Sequence, residues 1–362
     1  MAPRLRHRTG AAIAAALVLV ALILLASPSW CPGASAGAGE TSPAAALKPM
    51  ALQTVELGGV PRELRIDRTR MILGRLQIEL ADGSWVKLTD CEAGFCALAV
   101  KGTPRSESRP KDAIEGSQIA TSRGTIRRAY LAGATERAGT MPFGVPLAGR
   151  LVAVDDTNRS HVLELGLDRV FEDLSPQIAD LDGDGSSEVV TAIRDEAGGG
   201  RLAVIGLVDN DPRIIAESAP EGPGRAVLAA AIGDLDGDGT LDIAAVADPA
   251  GEGVLTLWHY RDHRLEPGRS LPGFSNLVPG APVTDLAAAA DMDGDGIDDL
   301  VLPDRERTRL RVVSLAHGEV AEPGRIALPA PIVTRLLVIP VKGRARPLVV
   351  MGLADGKLAI VH

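Results

Sequence analysis

Aromatic residues are scarce in this sequence, which has four Phe, three Trp and two Tyr among 362 residues. This scarcity argues against a surface of stacked aromatic platforms, whether for sugars or for single-stranded nucleic acid. Basic residues are also in the minority, with 38 against 47 acidic ones and a formal net charge of −9. Because a general nucleic-acid binder normally carries a basic face, we expect no nucleic-acid partner.

Several catalytic and cofactor motifs are lacking as well. The chain has no glycine-rich phosphate loop, no H-E-x-x-H and no C-x-x-C-H, and the sequence offers no residue to single out as catalytic. Gly (40 residues) and Pro (25 residues) are frequent enough to disfavour a long helical bundle. An apolar content of 46% excludes wholesale disorder, and the length suits one large domain or two ordinary ones.

The N-terminus has the pattern of an export signal. An unbroken apolar run of 16 residues from Ala11 to Ala26 follows a basic stretch, and Ala34-Ser35-Ala36 offers a cleavage site. This pattern predicts a secretory signal peptide over residues 1–36, followed by a flexible lead-in over residues 37–49. We therefore expect a secreted or periplasmic protein. An uncleaved signal anchor, which would attach the chain to a membrane, is the alternative.

Cysteine is rare, with three in the chain, and Cys31 belongs to the predicted leader. Cys91 and Cys96 remain, and in an oxidising compartment we expect them to form a small disulfide around the turn at Gly94. Free thiols and a redox pair are the alternatives. The C-x4-C spacing differs from the C-x-x-C of thioredoxin-like enzymes, which disfavours redox catalysis.

The feature that the sequence does contain is an acidic nonapeptide repeated three times. The copies read D-x-D-G-D-G-x-x-[DE] and begin at Asp180, Asp234 and Asp291, so their starts are 54 and 57 residues apart. A period in this range marks a repeat architecture. Carboxylates recur at positions 1, 3, 5 and 9, and the glycines at positions 4 and 6 permit the positive φ angles that wrap a chain around a centre.

Such a loop offers only hard oxygen ligands, which suit calcium, whereas magnesium demands a tighter octahedral geometry. Position 7 is Ser, Thr or Ile, so it can contribute only a backbone carbonyl. An acidic surface turn that binds nothing is the alternative. We predict calcium as the cofactor, up to three ions, with these ligand residues: Asp180, Asp182, Asp184, Ser186 and Glu188; Asp234, Asp236, Asp238, Thr240 and Asp242; Asp291, Asp293, Asp295, Ile297 and Asp299.

The residues after each loop are the short apolar runs VVTAI, IAAVA and LVLPD. These runs predict buried strands, whereas an EF-hand needs flanking helices and a Glu at position 12. The loop therefore connects two strands. Position 2 is apolar in every copy (Leu181, Leu235 and Met292), and we expect it to point into the core.

The loops resemble those of FG-GAP or VCBS repeats, the cation-binding blades of integrin-alpha-like β-propellers. In that family the acidic loop joins the first and second strands of a four-stranded blade. The resemblance covers roughly residues 170–330, although Gly280-Ala281-Pro282 precedes the third loop where the family places that tripeptide after it. It implies an all-β fold, a β-propeller over residues 50–362.

The strands of this propeller can be counted. Six blades are favoured and seven are the alternative. In the last loop-bearing blade we expect strands at 283–290, 298–303, 307–314 and 318–326. Comparable four-strand divisions fit 175–218 and 225–272, and two blades without acidic loops fit about 58–105 and 112–168.

The two ends of the propeller are expected to meet in one blade. After residue 330 only three strands remain, so the segment Ala51–Leu57 is the candidate for the fourth strand of the last blade. A shared LADG turn at Leu80–Gly83 and Leu353–Gly356 indicates equivalent positions in two blades.

One segment combines aromatic and histidine residues, from Trp258 to His263. We interpret it as a strand that runs into a turn, with ordinary packing and surface exposure for His259 and His263. Metal binding by this pair is the alternative.

Two functions from different classes remain. The first is a secreted, calcium-stabilised, non-enzymatic module that binds a protein or glycan. The alternative is a propeller-fold polysaccharide hydrolase or lyase with structural calcium. The scarcity of sugar-stacking aromatic residues favours the first.

Overall fold

Short apolar runs bounded by Gly, Asn and Asp turns form β-strands along the chain. The computed structural model describes residues 49–66, 76–92, 94–102, 104, 109–137, 144–195 and 199–362. In these ranges the chain has 25 strands and a single turn of 3-10 helix, Ala316–Gly318. The same ranges contain no helix of the length and apolar character that a membrane span requires. The proposed signal peptide and all but the last residue of the lead-in lie outside the described residues.

The strands form antiparallel sheets that follow one another along the chain. Four sheets have four strands each and one has nine. The N-terminal sheet contains β2 (Pro61–Ile66), β3 (Leu76–Leu80), β4 (Trp85–Cys91) and β5 (Gly94–Val100). The nine-stranded sheet contains β6 (Ala120–Thr121), β7 (Ile126–Thr135), β8 (Leu147–Asp155), β9 (Ser160–Glu164), β10 (Arg169–Phe171), β11 (Gln177–Ala179), β12 (Glu188–Asp195), β13 (Gly200–Val208) and β14 (Asp211–Glu217).

The C-terminal half supplies the other three sheets. One contains β15 (Val227–Gly233), β16 (Asp242–Ala247), β17 (Val254–Arg261) and β18 (Arg264–Leu271). The next contains β19 (Ala288–Ala290), β20 (Asp299–Pro303), β21 (Arg309–Ser314) and β22 (Ala321–Ala327). The last contains β1 (Leu52–Glu56), β23 (Leu337–Ile339), β24 (Leu348–Gly352) and β25 (Lys357–Val361).

The nine-stranded sheet consists of two four-stranded meanders. Strands β6 to β9 pair in chain order, and so do β11 to β14. Between them, β10 pairs with β8 on one side and with β12 on the other. This bridging strand, which the sequence did not predict, merges two otherwise separate sheets. The described chain therefore has six meanders of four strands.

The last sheet takes its fourth strand from the other end of the described chain. Strand β1 pairs antiparallel with β25, and Leu52 lies opposite Val361 while Glu56 lies opposite Lys357. This confirms the pairing expected from the missing fourth strand. The two LADG turns are also equivalent, because each joins the second and third strand of its meander and ends in a glycine with φ of +81° (Gly83) or +85° (Gly356).

The core lies between successive sheets and is built mainly of Leu, Val, Ile and Ala. One cluster packs β7 and β8 against β12 and β13, and others join each later sheet to the next. A further cluster packs β2 to β4 against β24 and β25, with Leu64 and Ile360 fully buried. The apolar residues at position 2 of the acidic loops are 1 to 2% exposed, as expected for a core position. Each of these five clusters is thus shared by two meanders.

The first strand of the fifth meander, β19, is shorter than predicted. The sequence predicts a strand over 283–290, whereas β19 covers only Ala288–Ala290. The residues before β19 form hydrogen bonds with segments of other meanders instead of extending β19. Thr284 donates its hydroxyl to Asp173 at 3.2 Å, and the N–H of Leu336 donates to the carbonyl of Asp285 at 3.0 Å. Such cross-sheet partners cannot be inferred from local periodicity.

Strand β15 is held along its length by buried polar side chains. Glu172 accepts the N–H of Val227 at 2.9 Å, and Asp173 accepts the N–H of Ala229 at 3.0 Å. Asn276 donates to the carbonyl of Ala229 at 3.1 Å. We call Glu172 and Asp173 the buried acid pair, since their exposures are 0 and 1%. The second acidic loop starts directly after β15, so these contacts fix its base.

Cys91 and Cys96 form the expected disulfide, with their Cα atoms 6.0 Å apart. The bond ties the end of β4 to β5 across the hairpin turn. Closing so short a loop removes little unfolded-state entropy, worth about 2 kcal/mol in the chain-entropy view. We expect the double variant C91A/C96A to fold and to lose no more than about this amount in a urea titration. A loss of the native fold would instead assign the disulfide an essential role.

Candidate metal centres

The three acidic loops occupy equivalent places in three successive meanders. They connect β11 to β12, β15 to β16 and β19 to β20, which are the first and second strands in each case. The glycines at positions 4 and 6 have φ between +71° and +90° in all three loops. This backbone conformation is open to glycine at little steric cost, so the repeated D-G-D-G sequence sets the turn.

Each loop closes on itself through the same four hydrogen bonds. The N–H groups of positions 6, 5, 7 and 2 donate to the carboxylates of positions 1, 3, 5 and 9, respectively. In the second loop these bonds measure 3.1, 3.0, 2.9 and 3.2 Å. In the first and third loops they range from 2.6 to 3.3 Å. The sequence repeat is therefore also a repeat of local structure.

The acid at position 9 of each loop is buried at the start of the second strand. Glu188, Asp242 and Asp299 are 5, 1 and 2% exposed. Burial raises the pKa of Glu188 to about 7 and that of Asp299 to about 6, and neighbouring loop carboxylates act in the same direction. Burial also raises the pKa of Asp242, against the effect of its hydrogen bond to His259. Each loop thus needs positive charge to keep its acids ionised.

The carboxylates of each loop converge. In the first loop, ligand oxygens of Asp180, Asp182 and Glu188 lie within 4.8 Å of one another. In the second and third loops the carboxylates of positions 1, 3 and 5 meet in the same way. Oδ1 of Asp180 is buried without a hydrogen-bond partner. Converging carboxylate oxygens are the ligands that calcium takes, so the residues present fit this cation.

Position 7 engages the loop through its backbone. The N–H groups of Ser186, Thr240 and Ile297 donate to the position 5 carboxylates. The Ile297 side chain reaches towards the second loop, where a Cβ on Gly237 would lie 2.5 Å from its Cδ1. Ligation by the position 7 carbonyls stays a prediction.

The second and third loops contact each other directly. The N–H of Asp298 donates to the carbonyl of Asp234 at 3.0 Å, and the N–H of His317 donates to the carbonyl of Asp236 at 2.8 Å. Burial raises the pKa of Asp298, and the charges of Asp234 and Asp291 add to the effect. Asp298 is thus a further acid between two loops. Sequence reasoning missed it because position 8 is Ser187 or Leu241 in the other copies.

The two histidines singled out in the sequence have separate roles. His259 lies on β17, with Nδ1 at 2.8 Å from Asp242 Oδ1 and 3.8 Å from Asp236 Oδ2. His263 lies in the following turn and hydrogen-bonds the hydroxyl of Tyr260 at 2.9 Å. His259 therefore contacts the acids of the second loop and does not pair with His263. Only the register of β17 against β16 brings it there, which spacing along the chain could not show.

A cavity of about 260 Å³ lies where the first strands of five meanders approach one another. Much of its lining is alanine, from Ala229–Ala231 and Ala287–Ala289. Its charged side chains are Asp285 and Arg335, which pair at 3.1 Å, and Arg335 also donates to Gln118 at 3.2 Å. The charges of this lining therefore neutralise each other within the protein.

Comparison with known families identifies the repeat. Residues 234–302 match a family model described as an FG-GAP-like repeat. The matched segment starts at the first residue of the second acidic loop and extends past the end of the third. No curated protein matches the chain.

Proposed function

Since the chain is an FG-GAP repeat protein, we propose that it is a secreted calcium-binding β-propeller that acts as a non-enzymatic interaction module for a protein or glycan. Calcium bound in the three loops stabilises the turn between the first two strands of the three blades that carry them. The loops therefore stabilise the fold, and the partner binds to other parts of the propeller surface.

The observation that carries the calcium proposal is the threefold recurrence of one carboxylate arrangement. The converging ligand oxygens, which lie within 4.8 Å of one another, belong to positions 1, 3 and 9 in the first loop and to positions 1, 3 and 5 in the other two. The acid at position 9 is buried in all three loops. Like charges at about 4 Å repel by roughly 4 kcal/mol per pair at an effective dielectric of 20. A divalent cation removes this repulsion, and a flexible all-oxygen loop suits calcium better than magnesium.

Six propeller blades are supported by the six four-stranded meanders. Five successive pairs of neighbouring meanders each pack around a hydrophobic cluster of their own. One of these pairs consists of the last and the first meander in the chain. First strands from five meanders approach the same cavity, as blades around an axis would. The pairing of β1 with β25 completes the last blade from the other end of the chain.

Export is supported by two independent features. The N-terminal segment has the basic, apolar and small-residue order of a signal peptide. The disulfide between Cys91 and Cys96 suits an oxidising compartment. We therefore place the mature protein outside the cytoplasm, either secreted or periplasmic.

An interaction module is favoured over a polysaccharide hydrolase or lyase by the character of the cavity. Small alanines form much of its lining, and its Asp285 and Arg335 are engaged with each other. Sugar-processing pockets instead need converging acids and stacking aromatic side chains. A partner is therefore expected to bind the outer faces of the blades.

The calcium assignment is tested by counting ions. We expect the stripped mature chain to bind up to three calcium ions, and Asp293→Asn to lower the count by one, because it removes a position 3 carboxylate from the third loop. Asp156→Asn is the matched control, since Asp156 is exposed in a hairpin outside the loops. Isothermal titration after chelation gives the count. An unchanged count in Asp293→Asn would refute the ligand assignment.

A further inference from the structure

We propose that Asp298 is a positioning residue shared by the second and third acidic loops, and that its carboxylate raises the calcium affinity of both. The inference rests on the proposed function, because it requires the loops to bind calcium. Asp298 is not itself a ligand, since it lies outside the groups of carboxylates that converge within 4.8 Å in these loops. Each proposed ligand belongs to one loop, whereas Asp298 acts on two.

The backbone around Asp298 ties the third loop to the second. The N–H of Asp298 donates to the carbonyl of Asp234, the first residue of the second loop, at 3.0 Å. The preceding residue, Ile297, lies against Gly237 of the same loop, where an added Cβ would come within 2.5 Å of its Cδ1. Asp298 is therefore held against the second loop although it belongs to the third.

The side chain of Asp298 lies beside the first residues of both loops. A Cβ added to Gly233, the residue directly before the second loop, would be 2.6 Å from Oδ2 of Asp298. Burial raises the pKa of Asp298, and the charges of Asp234 and Asp291 act in the same direction. Hydrogen bonds from the backbone N–H groups of these two residues oppose the rise. One carboxylate thus contacts the start of both loops, where the position 1 acids are attached.

This placement gives Asp298 two effects on calcium binding, and both have the same sign. Its hydrogen bonds hold the backbone of Asp234 and Asp291, so the position 1 carboxylates of both loops are oriented before an ion arrives. Its negative charge repels those carboxylates and attracts a cation in either loop. A bound cation offsets the repulsion, so the charge favours the occupied loops over the empty ones.

The equivalent residues of the other two loops make different contacts. At position 8 of the first loop, the N–H of Ser187 donates to Thr125 Oγ1 at 2.7 Å, in a hairpin without an acidic loop. Position 8 of the second loop is Leu241, which packs against the hydrophobic cluster shared with the preceding meander. The residue before the first loop is Ala179, whereas Gly233 leaves room for a carboxylate before the second. A position 8 carboxylate therefore joins two acidic loops at one junction, that of the second and third.

A contact that only stabilises the fold is the alternative role for Asp298. Asp298→Asn tests the charge, because the amide is neutral and keeps one acceptor oxygen where the carboxylate has two. Asp298→Leu removes the charge and both acceptors, and it gives the third loop the residue that the second loop has at this position. Ser187→Ala is the matched control, since it changes position 8 of the first loop, away from the junction of the other two.

The experiment is a calcium titration of the full mature chain, stripped by chelation and followed by ¹H–¹⁵N NMR. The reporters are the amides of Gly185, Gly239 and Gly296, because each donates to the position 1 carboxylate of its own loop. Each amide therefore gives the calcium concentration at the midpoint for one loop.

In Asp298→Asn the midpoints of Gly239 and Gly296 should both rise on the order of fivefold, the size of a Coulomb interaction between close charges in water. The midpoint of Gly185 should stay at its wild-type value. Asp298→Leu should raise the first two midpoints further, and Ser187→Ala should leave both unchanged.

Three results would overturn the inference. Unchanged midpoints in both Asp298 variants, whether or not the melting temperature of the calcium-free chain falls, would leave Asp298 at most a structural role. A rise confined to Gly296 would assign Asp298 to the third loop alone, and an equal rise at Gly185 would show a general effect of the substitution. A wild-type chain without a calcium response at any of the three glycines would instead reject the proposed function itself.

Discussion

Stripping divalent cations should lower the melting temperature of the mature chain on the order of 10 °C, and calcium should restore it. Each site contributes about 2.7 kcal/mol when calcium is at a hundredfold excess over its Kd and binds only the folded state. Three such sites supply about 8 kcal/mol, and each kcal/mol is worth about 2–4 °C in domains of 150–250 residues and somewhat less in longer ones. Differential scanning calorimetry at several calcium concentrations measures the shift.

The control is a triple variant in the position 1 aspartates, Asp180→Asn, Asp234→Asn and Asp291→Asn. Each Asn can still accept the loop N–H bond that the aspartate accepts, while the charge is lost. Its melting temperature should be insensitive to calcium. Magnesium at the same concentration should shift the wild type less than calcium does, because these loops do not enforce tight octahedral geometry. An equal response of wild type and triple variant would mean that the loops are ordinary turns.

The sequence predicted the acidic loops well because their chemistry is local. Nine consecutive residues carry the proposed ligands, the glycines and the buried residue at position 2, and the structure gives all three copies the same hydrogen bonds. The pairing of β1 with β25 was predicted for a different reason. A meander with three strands at one end of a chain leaves an edge that a strand from the other end can cover.

Other parts of the site depend on register and on contacts between sheets, which a single sequence does not reveal. His259 reaches the second loop only because β17 pairs with β16 in one register. Asp298 lies between two loops only because their meanders are neighbours. The bridging strand β10 pairs with strands on both of its sides, and its three residues carry no distinctive pattern.

The buried acid pair is the clearest case of a feature hidden from the sequence. Glu172 and Asp173 lie before β11, yet they accept N–H groups of β15 in the next meander. Burial raises the pKa of Glu172 to about 8, with Arg194 at 2.8 Å acting in the opposite direction. Burial likewise raises the pKa of Asp173 to about 7, against the effect of its hydrogen-bond donors. Folding therefore makes both groups hold their protons more tightly.

The buried acid pair should make the free energy of unfolding fall as pH rises. The protein is kept saturated with calcium in this experiment, so that the acids of the loops stay ionised. Between the ordinary values of 3.8 and 4.5 and the folded values of about 7 and 8, the folded chain binds more protons than the unfolded one. The free energy of unfolding must then decrease with pH across this window and level off above about pH 8. Each pKa unit between the ordinary and the folded value contributes about 1.4 kcal/mol to this decrease.

Urea titrations at intervals from pH 5 to pH 9 measure this slope, and the double variant Glu172→Gln, Asp173→Asn assigns it. The variant should be less stable overall, because an amide cannot replace every hydrogen bond that the carboxylates accept, but its stability should vary much less with pH. Glu217→Gln is the control: Glu217 pairs with Arg169 at a partly exposed site, and its removal should leave the slope unchanged. If wild type and double variant show the same slope, Arg194 and the donors of β15 keep both acids ionised in the folded chain, and the pH dependence arises elsewhere.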